Sequence, residues 1–154
     1  MYKSSGKDVK NFMEKIVTYS DGGSRGNPGP ASLGVYIETL GKSYGECLGT
    51  KTNNEAEYAA VIFGLKKIKA LIGKARAKGT VVECRMDSEL VCKQLKHEYK
   101  VENEKLQPLF MVVWNLTMDF AEVKFVCVRR ELNARADALA NEALDKEGKR
   151  KKLF

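Results

Sequence analysis

The apolar pattern of this chain changes period at Asn53, and that change limits the fold more than any other feature. Before it stand three runs of strand character, at 16–21, 33–40 and 43–48. In the first run side chains alternate between faces, which puts Val17, Tyr19 and Asp21 on one side and Asp21 at or near the strand end. Gly41-Lys42 reads as a hairpin turn, so the three strands are consecutive and antiparallel. After Asn53, Tyr58, Val61, Ile62, Leu65, Ile68 and Ile72 recur at three- and four-residue steps, the spacing of an amphipathic helix that closes between Gly73 and Gly79. Residues 80–87 form a fourth strand, again ending on a carboxylate, and Ser88 stands as N-cap of the next helix. Helices over 88–99 and 104–120 follow, with Pro108 tolerable in a first turn and Trp114 placed in the core or at its edge. The run Val-Lys-Phe-Val-Cys-Val at 123–128 predicts a strand covered on both faces, inside the sheet. A last helix carries Ala136, Leu139, Ala140 and Ala143 as a small-residue stripe, with Asp137 beside it. The fold class is therefore α/β: a mixed five-stranded sheet, three antiparallel strands then two parallel, with helices on both faces.

With 154 residues, 44% of them hydrophobic, the chain suffices for one core. The expected division is a flexible arm at 1–15, one globular domain at 16–147 and a loose basic tail at 148–154. No apolar run approaches the ~18 residues of a membrane span, and the first residues lack the apolar stretch of a secretory signal, so a cytoplasmic protein without membrane contact is expected. Cys47, Cys84, Cys92 and Cys127 form no C-x-x-C pair and read as buried thiols, with a disulfide between two of them left open. The net charge of +7 favours a polyanionic partner or simply a solubilising surface. Lys66, Lys67, Lys69, Lys74, Arg76 and Lys78 gather near one helix end, and a second basic cluster crowds the C-terminus.

Four acids, Asp21, Glu57, Asp87 and Asp137, each fall at an element boundary, where short connections can converge. Singly they have ordinary explanations as turn former, helix acid, cap neighbour or dipole partner. Jointly, converged acids repel and raise one another's pKa values unless a cation neutralises them. Oxygen ligands without Cys or His favour Mg²⁺ or Mn²⁺, and two such ions roughly 4 Å apart suit phosphodiester cleavage.

The residues that carry a family likeness are Asp21-Gly-Gly-Ser-Arg-Gly-Asn-Pro-Gly-Pro, Thr52-Asn-Asn-Glu-Ala-Glu57-Tyr, Met86-Asp87-Ser88 and Asn133-Ala-Arg-Ala-Asp137. In this order and spacing they resemble the successive motifs of the type 1 ribonuclease H family. The resemblance implies a ribonuclease H-like fold and an endonuclease that cuts the RNA strand of an RNA–DNA hybrid, leaving a 5′-phosphate and a 3′-hydroxyl. It implies two Mg²⁺ or Mn²⁺ ions held by Asp21, Glu57, Asp87 and Asp137. Asp21 and Asp87 would touch both ions, Glu57 one ion and the ribose, and Asp137 the ion on the attacking-water side. Glu55 falls outside the pattern. Asn27, Asn53, Asn54 and Ser88 match polar positions that meet the hybrid, where an amide can both donate to and accept from a 2′-hydroxyl. Gly22, Gly23 and Ser24 offer backbone amides to a closely approaching strand. Either Asn53 or Asn54 also suits a helix N-cap.

The chain departs from the best-known bacterial members in two places. Their catalytic histidine after the last strand has no counterpart, since the single histidine, His97, follows the fourth strand and is expected at the surface. Arg130, seven residues before Asp137, resembles instead the arginine of archaeal-type members, which can hold a phosphate without shuttling protons. Residues 96–105 are short and mixed in charge, so the basic handle of some relatives is absent. The expected partner is the hybrid duplex, bound by a monomer with no obligate protein partner. The alternatives are another nuclease or polynucleotidyl transferase of the same fold and a catalytically silent hybrid-binding module; the asparagine pair speaks against the first and the complete acid set against the second.

Overall fold

The computed structural model describes residues 13–153, so most of the expected N-terminal arm lies outside the described residues. Strands β1 (Glu14–Ser24), β2 (Gly29–Ile37) and β3 (Lys42–Lys51) form an antiparallel meander. Strands β4 (Thr80–Met86) and β5 (Glu122–Cys127) join it in parallel, giving the order β3-β2-β1-β4-β5. The five-stranded mixed sheet is the one the period changes predict.

The helices are α1 (Asn53–Ile72), α2 (Lys74–Ala77), α3 (Glu89–Leu95), α4 (Gln107–Thr117) and α5 (Ala134–Leu153). Thr52 starts α1 through a capping box: its hydroxyl accepts from the Glu55 amide at 3.2 Å, and Glu55 Oε1 accepts from the Thr52 amide at 3.0 Å. Helix α1 lies over β1 and β2, where Gly64 leaves room for Thr18 and Val35, while α5 covers the opposite face of the meander, with Ser32 Oγ donating to the Ala140 carbonyl at 2.6 Å. The core fills the α1 side with Ile16, Val35, Leu65, Ile68, Val82 and Met86, and α4 adds Val113. Each such fully buried aliphatic side chain contributes about 1.5–3 kcal/mol.

Several local expectations change. Strand β5 is the edge of the sheet, not its interior. Its apolar run is accounted for by Val123 and Phe125 packing against the core and by Cys127 bridging to Cys92, while Lys124 stays exposed on the edge, where a charge discourages further pairing. Of the four cysteines only Cys84 is a buried free thiol: Cys47 is exposed, and Cys92 and Cys127 form a disulfide with 5.9 Å between their Cα atoms. Helix α5 runs on through the basic cluster to Leu153, so 148–153 are helical and not a loose tail. Trp114 is 46% exposed, on a rim and not in the core. No helix among the described residues is long and apolar enough to cross a membrane.

Candidate active site

The site exists because β1 parts from β4 while staying paired with β2. The parallel ladder ends at Tyr19↔Arg85, whereas the antiparallel ladder continues through Asp21↔Gly34 to Ser24↔Ala31. Asp21 is thus inside a strand, not at its end, and Gly22, Gly23 and Ser24 belong to the strand as well. Beyond the parting, Asp21 on β1 and Asp87 after β4 line one cleft.

Two glycines bring the other acids in. A β-carbon on Gly22 would collide with the Ala56 carbonyl, so only glycine lets the first turns of α1 settle on the strand and deliver Glu57. On the opposite face, a β-carbon on Gly34, the partner of Asp21, would collide with the Ala136 carbonyl, and its absence lets α5 deliver Asp137. The four acids and Arg130 line a cleft of about 520 Å³. Ligand oxygens of Asp21, Glu57 and Asp87 lie within 4.8 Å of one another. Asp137 completes the wall and shares a hydrogen bond with Asp21. Arg130, 86% exposed, holds its Nε 4.0 Å from Asp87 Oδ2, at the mouth.

The electrostatics distinguish this cluster from an ordinary buried acid. Burial pushes Asp21 up to about 7, helped by the charge of Asp87 and by the hydrogen bond that the protonated Asp21 donates to Asp137. Burial and the charge of Asp21 raise Glu57 well above the usual carboxylate range, against the Gly22 amide, which lowers it. Glu83, equally buried in the same sheet, behaves oppositely: burial raises it, but hydrogen bonds from Arg85 and Lys15 outweigh that and hold it low. Lys15 and Arg85 both pair with Glu83; among the described residues the only cation lining the cleft of Asp21 and Glu57 is the peripheral Arg130. The unmet negative charge, offered by oxygens alone, fits a hard divalent cation.

The polar residues divide by role. Thr52 caps α1, so neither Asn53 nor Asn54 does. Asn53 Oδ1 accepts from the Ser24 amide at 2.9 Å, and the Asn53 amide donates to Asn27 Oδ1 at 3.0 Å. These two asparagines thus pin the glycine-rich end of β1 to the start of α1, and Asn27 stands outside the cleft lining while Asn53 remains part of it. Asn54 lines the cleft beside Gly23 and Ser24. Ser88 both lines it and caps α3, its hydroxyl accepting from the Val91 amide at 3.4 Å. Two residues were missed by sequence reasoning. Asn141 lines the cleft one helical turn after Asp137, an i,i+4 spacing that could have disclosed it. Asn133, within the quoted motif, is buried and donates to Asp87 Oδ1 at 3.3 Å.

Other features lie elsewhere. His97 is exposed, on a groove with Phe110. The lysines of α1 trail toward its far end, about 18 Å from Glu57 by Lys69 at the helical rise. There Lys69 pairs with Asp119 at 3.0 Å and Arg76 with Glu14 at 2.7 Å, so part of that basic cluster serves the fold.

Comparison with known proteins follows the same geometry. Residues 20–143 match a family described as reverse transcriptase-like. A bifunctional protein of Mycobacterium tuberculosis is 37% identical over 136 residues, 85% of this chain; the chain spans only 36% of that relative's length. The crystal structure of ribonuclease H1 from Halobacterium salinarum superposes with a TM-score of 0.78 at 37% identity, covering 86% of this chain and 98% of that one. A ribonuclease H1 isolated from compost, solved in complex with an RNA/DNA hybrid, gives a TM-score of 0.80 at 41% identity, with the same coverages of 86% and 98%.

Proposed function

Because this chain belongs to the ribonuclease H family, we propose that it is a metal-dependent endonuclease that hydrolyses the RNA strand of RNA–DNA hybrids to 5′-phosphate and 3′-hydroxyl ends. The observation that carries the reading is the convergence of Asp21, Glu57 and Asp87 oxygens within 4.8 Å, with Asp137 on the same wall and, among the described residues, only Arg130 as a cation lining the cleft.

Asp21, Glu57, Asp87 and Asp137 would hold two ions, with Mg²⁺ and Mn²⁺ as the candidates from an oxygen-only donor set. Bound divalent cations supply a water of lowered pKa for in-line attack and neutralise charge on the leaving oxygen. The chain's own groups supply position. Gly22 and Gly23 line the cleft without side chains and leave room for a closely approaching strand, and Asn54 beside them suits a contact to the RNA 2′-hydroxyl, the group that separates RNA from DNA. Asn27 and Asn53 keep that segment against α1, so it is set before substrate arrives. Arg130, mostly in solvent at the mouth, suits a phosphate contact that an always-charged guanidinium can make and release without moving a proton.

The deciding assay is cleavage of an RNA–DNA hybrid with Mg²⁺ or Mn²⁺, beside duplex RNA, an RNA–DNA junction and duplex DNA. Cutting of the hybrid's RNA strand, abolished by chelator, is expected. A hybrid left intact by either metal at high enzyme would overturn the enzymatic reading and leave a binding module.

A further inference from the structure

We propose that Asn133 is a positioning residue that holds the acidic cluster in its working spacing, an inference that rests on the metal-dependent reading above. Asn133 ends the short 3-10 turn before α5 and is 1% exposed. Its Nδ2 donates to the Ser20 carbonyl at 2.9 Å and to Asp87 Oδ1 at 3.3 Å. Those acceptors belong to neighbouring chain segments at the point where β1 and β4 part. The ladder between the strands stops at Tyr19↔Arg85. One residue later the Ser20 carbonyl takes the Asn133 amide where a strand donor would otherwise stand.

The orientation of the amide follows from its partners. Both are oxygens, so turning Oδ1 toward them would oppose acceptor to acceptor. Oδ1 itself has no partner among the described residues, which makes the position a poor one for mere filling. What the residue provides is one NH₂ group tied to three pieces of the site. Ser20 precedes Asp21, Asp87 follows β4, and the turn that ends on Asn133 begins at Arg130. With Oδ1 of Asp87 held, its Oδ2 is the oxygen left on the side of Arg130. In a cleft where the acids repel one another, a free Asp87 would swing toward solvent; the amide keeps it beside Asp21 and Glu57. Groups that orient a metal-binding carboxylate in this way commonly change metal affinity or activity ten- to a hundredfold when removed.

The test compares wild-type protein with Asn133→Ala, Asn133→Asp and Asn133→Ser. Mn²⁺ binding is measured by calorimetry without nucleic acid, KM and kcat on the hybrid separately, and melting in chelator. The Ala variant, which cannot donate, and the Asp variant, which when ionised opposes a carboxylate to Asp87, should bind Mn²⁺ at least tenfold more weakly and lose kcat at least as strongly, with KM within about threefold. Asn133→Ser, which keeps one donor, should recover part of the Mn²⁺ affinity. A merely structural asparagine would lower the melting temperature and leave Mn²⁺ affinity unchanged. Wild-type Mn²⁺ affinity in any folded variant lacking the amide, or a loss confined to KM, overturns the proposal; absence of Mn²⁺ binding by the wild type would instead sink the metal reading itself.

Discussion

Two concavities of nearly the same volume, about 520 Å³ and about 530 Å³, lie at different ends of this molecule's chemistry. The first gathers four carboxylates, backbone amides and one arginine where β1 and β4 part. The second runs between β5, α4 and the end of α3, walled by Phe110, Val113, Trp114 and Phe125. Size does not separate them. The apolar groove is stable as it stands, since its walls are side chains packed against the core. The acidic cleft holds its carboxylates against burial first and mutual repulsion second, as the raised pKa values of Asp21 and Glu57 show. Folding alone would favour the first kind of surface; the second is stabilised by something that brings positive charge.

The comparison can be broken at either end. Asp87→Asn should lower hybrid cleavage by roughly a thousandfold or more while hybrid binding, measured by anisotropy in Ca²⁺, stays within a few-fold. Retained cleavage would mean that the acids are not the reacting centre. Val113→Ala in the groove should do the reverse, destabilising by about 2 kcal/mol with cleavage per folded molecule within twofold. A large loss of cleavage there would move substrate binding to the groove.

A subtler effect separates stability from function inside the cleft. Burial raises the folded pKa of Asp21 from 3.8 to about 7, so the folded protein is favoured by protonation. Without metal, that contribution is intact below pH 4 and is lost as pH rises through about 7; Glu57 moves the same way. Asp21→Asn should therefore stabilise the metal-free protein by about 1–3 kcal/mol at pH 8, read by melting in chelator. The gain should shrink toward zero near pH 4, and no gain at pH 8 would mean that burial and neighbouring charge do not penalise the ionised Asp21. The smallest effect is expected at Glu55, whose carboxylate is occupied by the Thr52 amide outside the cleft. Gln serves the same capping box, so Glu55→Gln should leave most cleavage and stability intact. A loss equal to that of Glu57→Gln would mean that the wrong acid was placed in the site.

Much of this was legible in the sequence because it depends on local periods. Alternation in 16–21, the three- and four-residue steps of 58–72 and the short 80–87 run dictate which segments are strand and which helix, and the spaced motifs identify the acids. Thr52 and Glu55 spell their capping box in adjacent letters, and Ser88 announces its cap in the same way. The errors occur where the answer depends on what lies next to a segment. An apolar run such as 123–128 reads the same at a sheet's edge as inside it, because Val123 and Phe125 still turn one face to the core while Cys127 is tied to Cys92. The place of Asp21 within a strand, not at its end, follows from β4 leaving β1 after Arg85, a divergence between segments sixty-odd residues apart. The task of Asn133 is invisible for the same reason: its two acceptors, Ser20 and Asp87, are 113 and 46 residues away. The sequence by itself determined which elements form and which acids exist; the tertiary structure decided which of them share one cleft and what holds them there, because repulsion, burial and hydrogen bonding act through space between residues that no local pattern connects.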